Sequence, residues 1–196
     1  MPHATNAYKK RLIVAMSGSS GATLGIEVLR ALKEASDLEL HLVVSKGAEL
    51  TIAQETDMTL SDVQALADYV HPLSDIGASI ASGTFRTEGM LIVPCSMKTV
   101  AGIACGYSDN LILRAADVIL KERRKLVLVA RETPLSTIHL RNMLTLSEMG
   151  AIILPPMVSY YHRPKSLAEL SAHLTGKILD QFDVPYSGLK RWMDQP

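Results

Sequence analysis

The chain has 196 residues, 47% apolar and 20% charged, with 20 Lys plus Arg against 20 Asp plus Glu. That length and composition suit a single globular domain with a sizeable core and exclude a disordered chain. Zero net charge removes any global argument for nucleic-acid or membrane partners, and 5% aromatics is too few for a platform that stacks single strands.

Cys95 and Cys105 have no metal-ligand spacing and no histidine cluster beside them, so no metal site is expected. Both read as small core or turn residues. Without a disulfide framework the chain reads as a cytoplasmic protein of a reducing compartment. The opening MPHATNAYKKR carries no long apolar run behind its charges, and no segment approaches membrane-spanning length. Residues 1–10 read as a flexible N-terminal extension, and 11–196 as one α/β domain.

Leu12 to Met16 is an unbroken apolar run, as in a strand buried on both faces. Ser17-Gly18-Ser19-Ser20-Gly21 follows, and Ala22 to Ala35 shows helical spacing through Leu24, Val28, Leu29 and Leu32. ELHLVV, from Glu39 to Val44, is a second strand. It runs into Ser45-Lys46-Gly47 and a helix to Gln54, closed by Glu55-Thr56-Asp57. Leu60 to Ala67 reads as a short helix started near Ser61 or Asp62. Residues 68–88 lack strong periodicity, and Ser82-Gly83-Thr84 inside that stretch is loop-like. Met90 to Val93 is a third strand, followed by Pro94-Cys95-Ser96-Met97-Lys98-Thr99 and a short helix to Ala104.

Asn110 to Arg123 is a further helix, and KLVLV, Lys125 to Val129, a fourth strand ending at Arg131-Glu132. Ser136 can cap a helix to Met149, within which His139 reads as a satisfied core histidine. Ala151 to Leu154 is a fifth strand, stopped by Pro155-Pro156. Ser166 to Phe182 is the last long helix, with Ser166 and Glu169 spaced as a capping box. Strands alternating with helices give a three-layer, doubly wound (Rossmann-like, flavodoxin-like) parallel sheet in one domain.

In such sheets ligands bind at the carboxyl ends of the strands. Four polar strand ends converge there: Ser17 to Gly21, Ser45-Lys46, Ser96 to Thr99, and Arg131-Glu132. The first could cradle a phosphate on a helix N-terminus, or be a plain corner of small residues. It is neither G-x-G-x-x-G nor a P-loop. Arg131 offers a fork for phosphate and Glu132 a proton-transfer group; the alternative is an exposed ion pair. Lys121, Arg123 and Arg124 at a helix end suit the dipole as a solvated face. Residue chemistry alone thus points to an anion-binding pocket for a phosphorylated ligand.

SGSSGA, SKGAE, Glu55-Thr56-Asp57, VPCSMKT, RAADVILKERRKLVLVARETPLSTIHLRNML, GAIILPPM and YYHRP together resemble the UbiX-type flavin prenyltransferases. That family includes the small subunits of phenolic acid decarboxylases. The resemblance runs from about Leu12 to Trp192, and the stretch from Arg114 to Met143 is its most specific part.

It implies transfer of the dimethylallyl group of dimethylallyl monophosphate to N5 and C6 of reduced FMN, without a metal. The prenylated FMN would serve a UbiD-type decarboxylase. By resemblance, Gly18, Ser19, Ser20, Ser45, Ser96, Met97, Lys98, Thr99 and Arg131 contact FMN. Tyr161, Lys177, Lys121 and Arg131 bind the substrate phosphate. Ser20, Glu55, Lys121 and Glu132 are the catalytic set, with Ser20 beside N5 and Glu55 handling protons near the flavin. Many relatives carry Arg where Lys177 stands, so the bidentate fork is lost while the charge is kept. The family forms dodecamers with sites at subunit contacts, which would let Tyr161 and Lys177 act on a neighbour's flavin. Two alternatives are an FMN-binding decarboxylase, against which the absence of a PxMNxxMW-like segment counts, and a non-catalytic flavin-binding component of a phenolic acid decarboxylase.

Overall fold

A computed structural model describes residues 10–35 and 37–193. The expected extension falls almost wholly outside them; Lys10, its last residue, already joins the sheet, its C=O accepting the Glu39 N–H at 2.8 Å.

Six parallel strands form one sheet: β1 (Arg11–Met16), β2 (Glu39–Val44), β3 (Tyr69–His71), β4 (Gly89–Cys95), β5 (Lys125–Ala130) and β6 (Ile152–Ile153). Their order is β3-β2-β1-β4-β5-β6. The winding reverses between β1 and β4, which opens the crevice where doubly wound sheets take ligands.

Period-two alternation divides the core between the two faces. Leu12, Val14 and Met16 pack with α1 (Ala22–Ala35), α2 (Lys46–Glu55), α3 (Leu60–Gln64) and α7 (Leu167–Leu179). Ile13 and Ala15 pack on the other side with α4 (Met97–Ala104), α5 (Leu111–Lys121) and α6 (Thr137–Glu148). Helix α5 alone buries eight side chains, Ile119 among them; truncating such a residue to Ala costs about 2–5 kcal/mol.

Several local expectations are corrected. Residues 69–71, inside the stretch without strong periodicity, form an edge strand beside β2, too short and too exposed to announce itself. Helix α3 is shorter than expected and is capped by Thr59, whose hydroxyl accepts the Asp62 N–H while the Asp62 carboxylate accepts back. His139 is not a core residue. Its Nδ1 accepts the Ser136 N–H at 3.2 Å and closes the capping box of α6. Ser166 caps α7, but Glu169 reaches the Lys165 N–H, one residue before the cap. Arg124 is no solvated cation: its guanidinium ties the loop carbonyls of Gly83 and Phe85.

Candidate functional site

The strand ends at the reversal are tied by main-chain and hydroxyl bonds. Ser17 is 2% exposed; its N–H donates to the Pro94 C=O at 3.0 Å and its Oγ accepts the Ser96 N–H at 2.8 Å. The Ser45 N–H donates to the Met16 C=O at 3.0 Å, and the Arg131 N–H to the Cys95 C=O at 3.0 Å. These bonds bring all four polar strand ends to one edge of the sheet.

Two loops then touch through glycines. A Cβ on Gly18 would lie 2.8 Å from Gly47 Cα, and one on Gly47 would lie 3.0 Å from Gly18 Cα, so neither position has room for a side chain.

A cleft of about 330 Å³ opens over this contact, lined by Ser17, Gly18, Ser45, Lys46, Gly47, Leu73, Ser96, Lys98, Thr99, Asn110, Ile112 and Leu113. Ser45, Ser96 and Asn110 are the N-caps of α2, α4 and α5. Each cap bonds one N–H of its helix, leaving earlier N–H groups without intrahelical partners. Three positive helix ends and the ammonium groups of Lys46 and Lys98 therefore face one cleft. Among the described residues neither lysine is held in an ion pair.

Anionic phosphate fits that donor set, and two further features fit a larger ligand. The Gly18–Gly47 contact keeps the floor flat, and Ser19 Oγ is buried with no partner among the described residues. Leu73, Ile112 and Leu113 add an apolar wall. The residues present fit a flavin mononucleotide.

The first glycine turn behaves unexpectedly. Glu55 Oε2 accepts the Gly21 N–H at 2.9 Å and the Ala22 N–H at 2.8 Å. The start of α1 thus holds the chain's own carboxylate, beside Ser20, and not a ligand phosphate. Both bonds use Oε2. Met97 is 7% exposed and its side chain belongs to the core, so only its main chain is placed to meet a ligand.

The remaining expected residues lie apart. Lys121 ends α5, about 16 Å along an 11-residue helix from the cleft at Asn110, and donates to Glu122 Oε1 at 2.5 Å. That contact pulls the Glu122 carboxyl below its ordinary range. Tyr161 and Lys177 line a separate cavity of about 430 Å³, with His173 and Trp192, that shares no residue with the cleft. Burial depresses the His173 pKa, and His162 and Lys177 push the same way. Arg131 and Glu132 are exposed just past β5, next to Ser96 through the Cys95 carbonyl. One chain therefore brings Gly18, Ser45, Ser96, Lys98 and Thr99 to one cleft and leaves Lys121, Tyr161 and Lys177 outside it.

Sequence reasoning missed Leu73, Asn110, Ile112 and Leu113 as cleft residues. Asn110 carried a signal, since it starts a helix with a favoured cap residue. Leu73, Ile112 and Leu113 carried none. Burial pushes the Cys95 thiol far up, so Cys95 is an inert core residue. Among the described residues no cluster of three or more His, Cys, Asp or Glu is placed to hold a metal, and no helix is long and apolar enough to cross a membrane.

A profile of the flavoprotein family matches residues 1–177. The flavin prenyltransferase UbiX of Escherichia coli strain K12 is 51% identical over 185 residues, covering 93% of this chain and 98% of that one. The chain belongs to the UbiX-like flavin prenyltransferases of the flavoprotein family. Among solved UbiX structures, AnUbiX (PadA1) in complex with FMN and dimethylallyl pyrophosphate superposes with a TM-score of 0.93 at 52% identity, covering 96% of this chain and all of that one. A dodecameric FMN-dependent UbiX-like decarboxylase from Escherichia coli O157:H7 superposes at 0.92 and 52% identity, covering 93% and 99% of the two chains.

Proposed function

We propose that the chain joins the dimethylallyl group of dimethylallyl monophosphate to N5 and C6 of reduced FMN, releases phosphate, and hands prenylated FMN to a UbiD-type decarboxylase. The observation that carries this reading is the cleft at the sheet reversal, with three helix N-termini, two lysines and a glycine floor, in a fold matching that of a relative that holds FMN and dimethylallyl pyrophosphate.

Reduced FMN supplies the nucleophilic ring atoms. Gly18, Ser19, Ser45, the Ser96 to Thr99 turn and Arg131 hold it at the strand ends. Ser20 and Glu55 stand at the α1 start, where the Glu55 carboxylate exchanges protons near N5. As the N5–C bond forms and the allylic C–O bond breaks, negative charge grows on the departing phosphate, which takes up the N5 proton; the second bond closes as the prenyl double bond takes up a proton and C6 gives one up. Lys121, Arg131, Lys177 and Tyr161 stabilise that charge with preplaced donors, and Glu132 orients them or protonates the phosphate. Apolar walls keep water from the allyl cation.

Because these groups are separated in one chain, neighbouring copies complete the site. Helix α6 turns Leu140 and Leu144, one turn apart and 52% and 59% exposed, toward the outside, an apolar ridge of the kind a subunit contact covers. A dodecamer like that of the Escherichia coli relative is the assembly we infer.

The test is direct. Purified protein is mixed, without oxygen, with reduced FMN and either dimethylallyl monophosphate or pyrophosphate, and the extracted flavin is weighed. A gain of one five-carbon unit with the monophosphate is expected. Unchanged flavin from folded protein in both arms sinks the prenyltransferase reading. Activation of an apo UbiD-type decarboxylase by the extract tests the recipient.

A further inference from the structure

The group that sets the Tyr161 hydroxyl lies on α7, one turn before Lys177. His173 Nε2 is 3.1 Å from Tyr161 Oη, and the same Oη is 3.1 Å from the Lys190 C=O. A carbonyl can only accept, so the single phenolic proton belongs to Lys190 and the phenol oxygen must accept from His173 Nε2–H. The other ring nitrogen agrees. His173 Nδ1 is buried with no partner among the described residues. A proton there would be an orphaned buried donor, while Nε2 and the Lys190 carbonyl competed for one phenolic proton. The Nε2–H tautomer satisfies both contacts.

The ring is fixed in that pose. His173 is 7% exposed and stacks on His162 at 4.3 Å and 14°, while Tyr161 meets it edge-on at 5.4 Å and 82°. Burial, reinforced by His162 and by Lys177, keeps the imidazole neutral. Lys177 lies four residues on along α7, on the same helix face.

We propose that His173 is a positioning residue for the prenyl donor: its Nε2–H occupies the acceptor side of Tyr161 Oη and commits the phenol to donate its proton to the substrate phosphate beside Lys177. This rests on the reading of Tyr161 and Lys177 as phosphate-binding groups. Without substrate the phenolic proton points to Lys190; with substrate it turns to a phosphate oxygen, and His173 need not move.

The test is a double-mutant cycle on the full assembly, with reduced FMN and dimethylallyl monophosphate. His173→Phe keeps a ring on His162 but removes the donor. It is expected to raise KM for dimethylallyl monophosphate about tenfold and leave FMN affinity unchanged. Tyr161→Phe should do the same, and the double variant should be no worse than Tyr161→Phe alone. His173→Gln, which keeps an N–H donor, should recover part of the loss. Effects that multiply, or a parallel fall in FMN affinity, overturn the proposal while leaving the prenyltransferase reading intact. Wild-type protein that forms no prenylated flavin overturns that reading and the proposal with it. Should His173→Phe fail to fold, solid-state ¹⁵N spectra of histidine-labelled wild-type protein, compared with His173→Gln, decide the matter. A neutral Nε2–H imidazole supports the assignment; an Nδ1–H tautomer or an imidazolium refutes it.

Discussion

Glu55 caps helix α1 through Ala22, whose N–H its Oε2 accepts at 2.8 Å, with the Gly21 N–H alongside at 2.9 Å. A carboxylate from the far end of α2 thereby fills the positive end of the helix after the first glycine turn. The helix ends at Ser45, Ser96 and Asn110 stay open to an anion, and Glu55 couples the shape of the SGSSG turn to the α2 end.

Two substitutions separate the structural and chemical duties of Glu55. Glu55→Ala removes a cap and should destabilise by about 1 kcal/mol, which for a chain of this size lowers Tm by about 2–4 °C. Glu55→Gln keeps an acceptor oxygen and should lose less than half of that. If the carboxylate also moves protons, Glu55→Gln loses prenylation activity at nearly wild-type Tm. Thermal melts beside anaerobic turnover measure both, and full activity in Glu55→Gln removes the proton role.

The Gly18–Gly47 contact yields a steric prediction. Gly18→Ala drives a methyl to 2.8 Å from backbone that cannot swing aside. A loss of about 1–3 kcal/mol is expected, together with FMN binding, because the floor of the cleft must shift. Gly77→Ala is the control: its nearest neighbour is the Asp75 carboxylate at 3.7 Å, an ordinary contact. Flavin absorbance of the purified variants reads the outcome, and an FMN-replete Gly18→Ala would show that the contact does not shape the site.

The layers and the crevice were legible because four central strands are apolar runs and each ends in a polar turn. Strand β3 was not, since YVH is three residues long and is defined by its pairing with His41, Leu42 and Val43 of β2. Local caps at Ser136 and Ser166 read directly from spacing; the Glu55 cap joins residues 33 and 34 apart and does not. The same distinction runs through the site. Strand-end residues follow from topology, whereas Leu73, Leu113 and the Gly18–Gly47 contact depend on which loops meet. The phosphate roles of Lys121, Tyr161 and Lys177 came only from resemblance; one chain groups Tyr161 with Lys177 in one cavity and leaves Lys121 elsewhere.

Acid should weaken the fold through histidines held neutral. His41 is 3% exposed; burial lowers its pKa below the ordinary 6.5, and Glu39 offsets this only in part, with Arg11 opposing and Asp68 adding a little. Burial likewise lowers His71, whose Nε2 lies 2.9 Å from His41 Nδ1, and lowers His173. As pH falls through 6.5 the unfolded chain takes up protons that the folded chain refuses. Stability is therefore complete above that value and is lost as pH drops toward the depressed folded values. Tm should be flat above about pH 7 and fall below about pH 6.5, and His41→Phe should make that slope shallower. An identical slope in the variant would clear His41.

Glu132 can be altered without touching the fold. It is exposed, and among the described residues its Oε1 accepts the neighbouring Thr133 N–H, at 3.0 Å. Glu132→Gln keeps that acceptor and loses the ability to give or hold a proton. Prenylated FMN formation should slow about a hundredfold with FMN still bound, the scale of one general acid. Loss of FMN from this variant would instead make Glu132 a binding group.

Sharing of sites between copies predicts complementation. Gly18→Ala subunits cannot hold flavin but keep Lys121, Tyr161 and Lys177. Lys177→Ala subunits hold flavin but lack a phosphate-binding cation. Each assembly alone should make little product. Co-expressed and purified as mixed assemblies through two different tags, they should recover a fraction of wild-type turnover, because an intact cleft on one chain then meets an intact Lys177 on another. If a single chain supplied the whole site, every subunit in the mixture would carry one defect and no activity would return. The apolar Leu140–Leu144 ridge of α6 supplies the second arm: Leu144→Asp places a charge on a residue that is 59% exposed in the single chain. That substitution should leave the monomer folded while breaking the assembly, and turnover should fall with assembly size as read by light scattering.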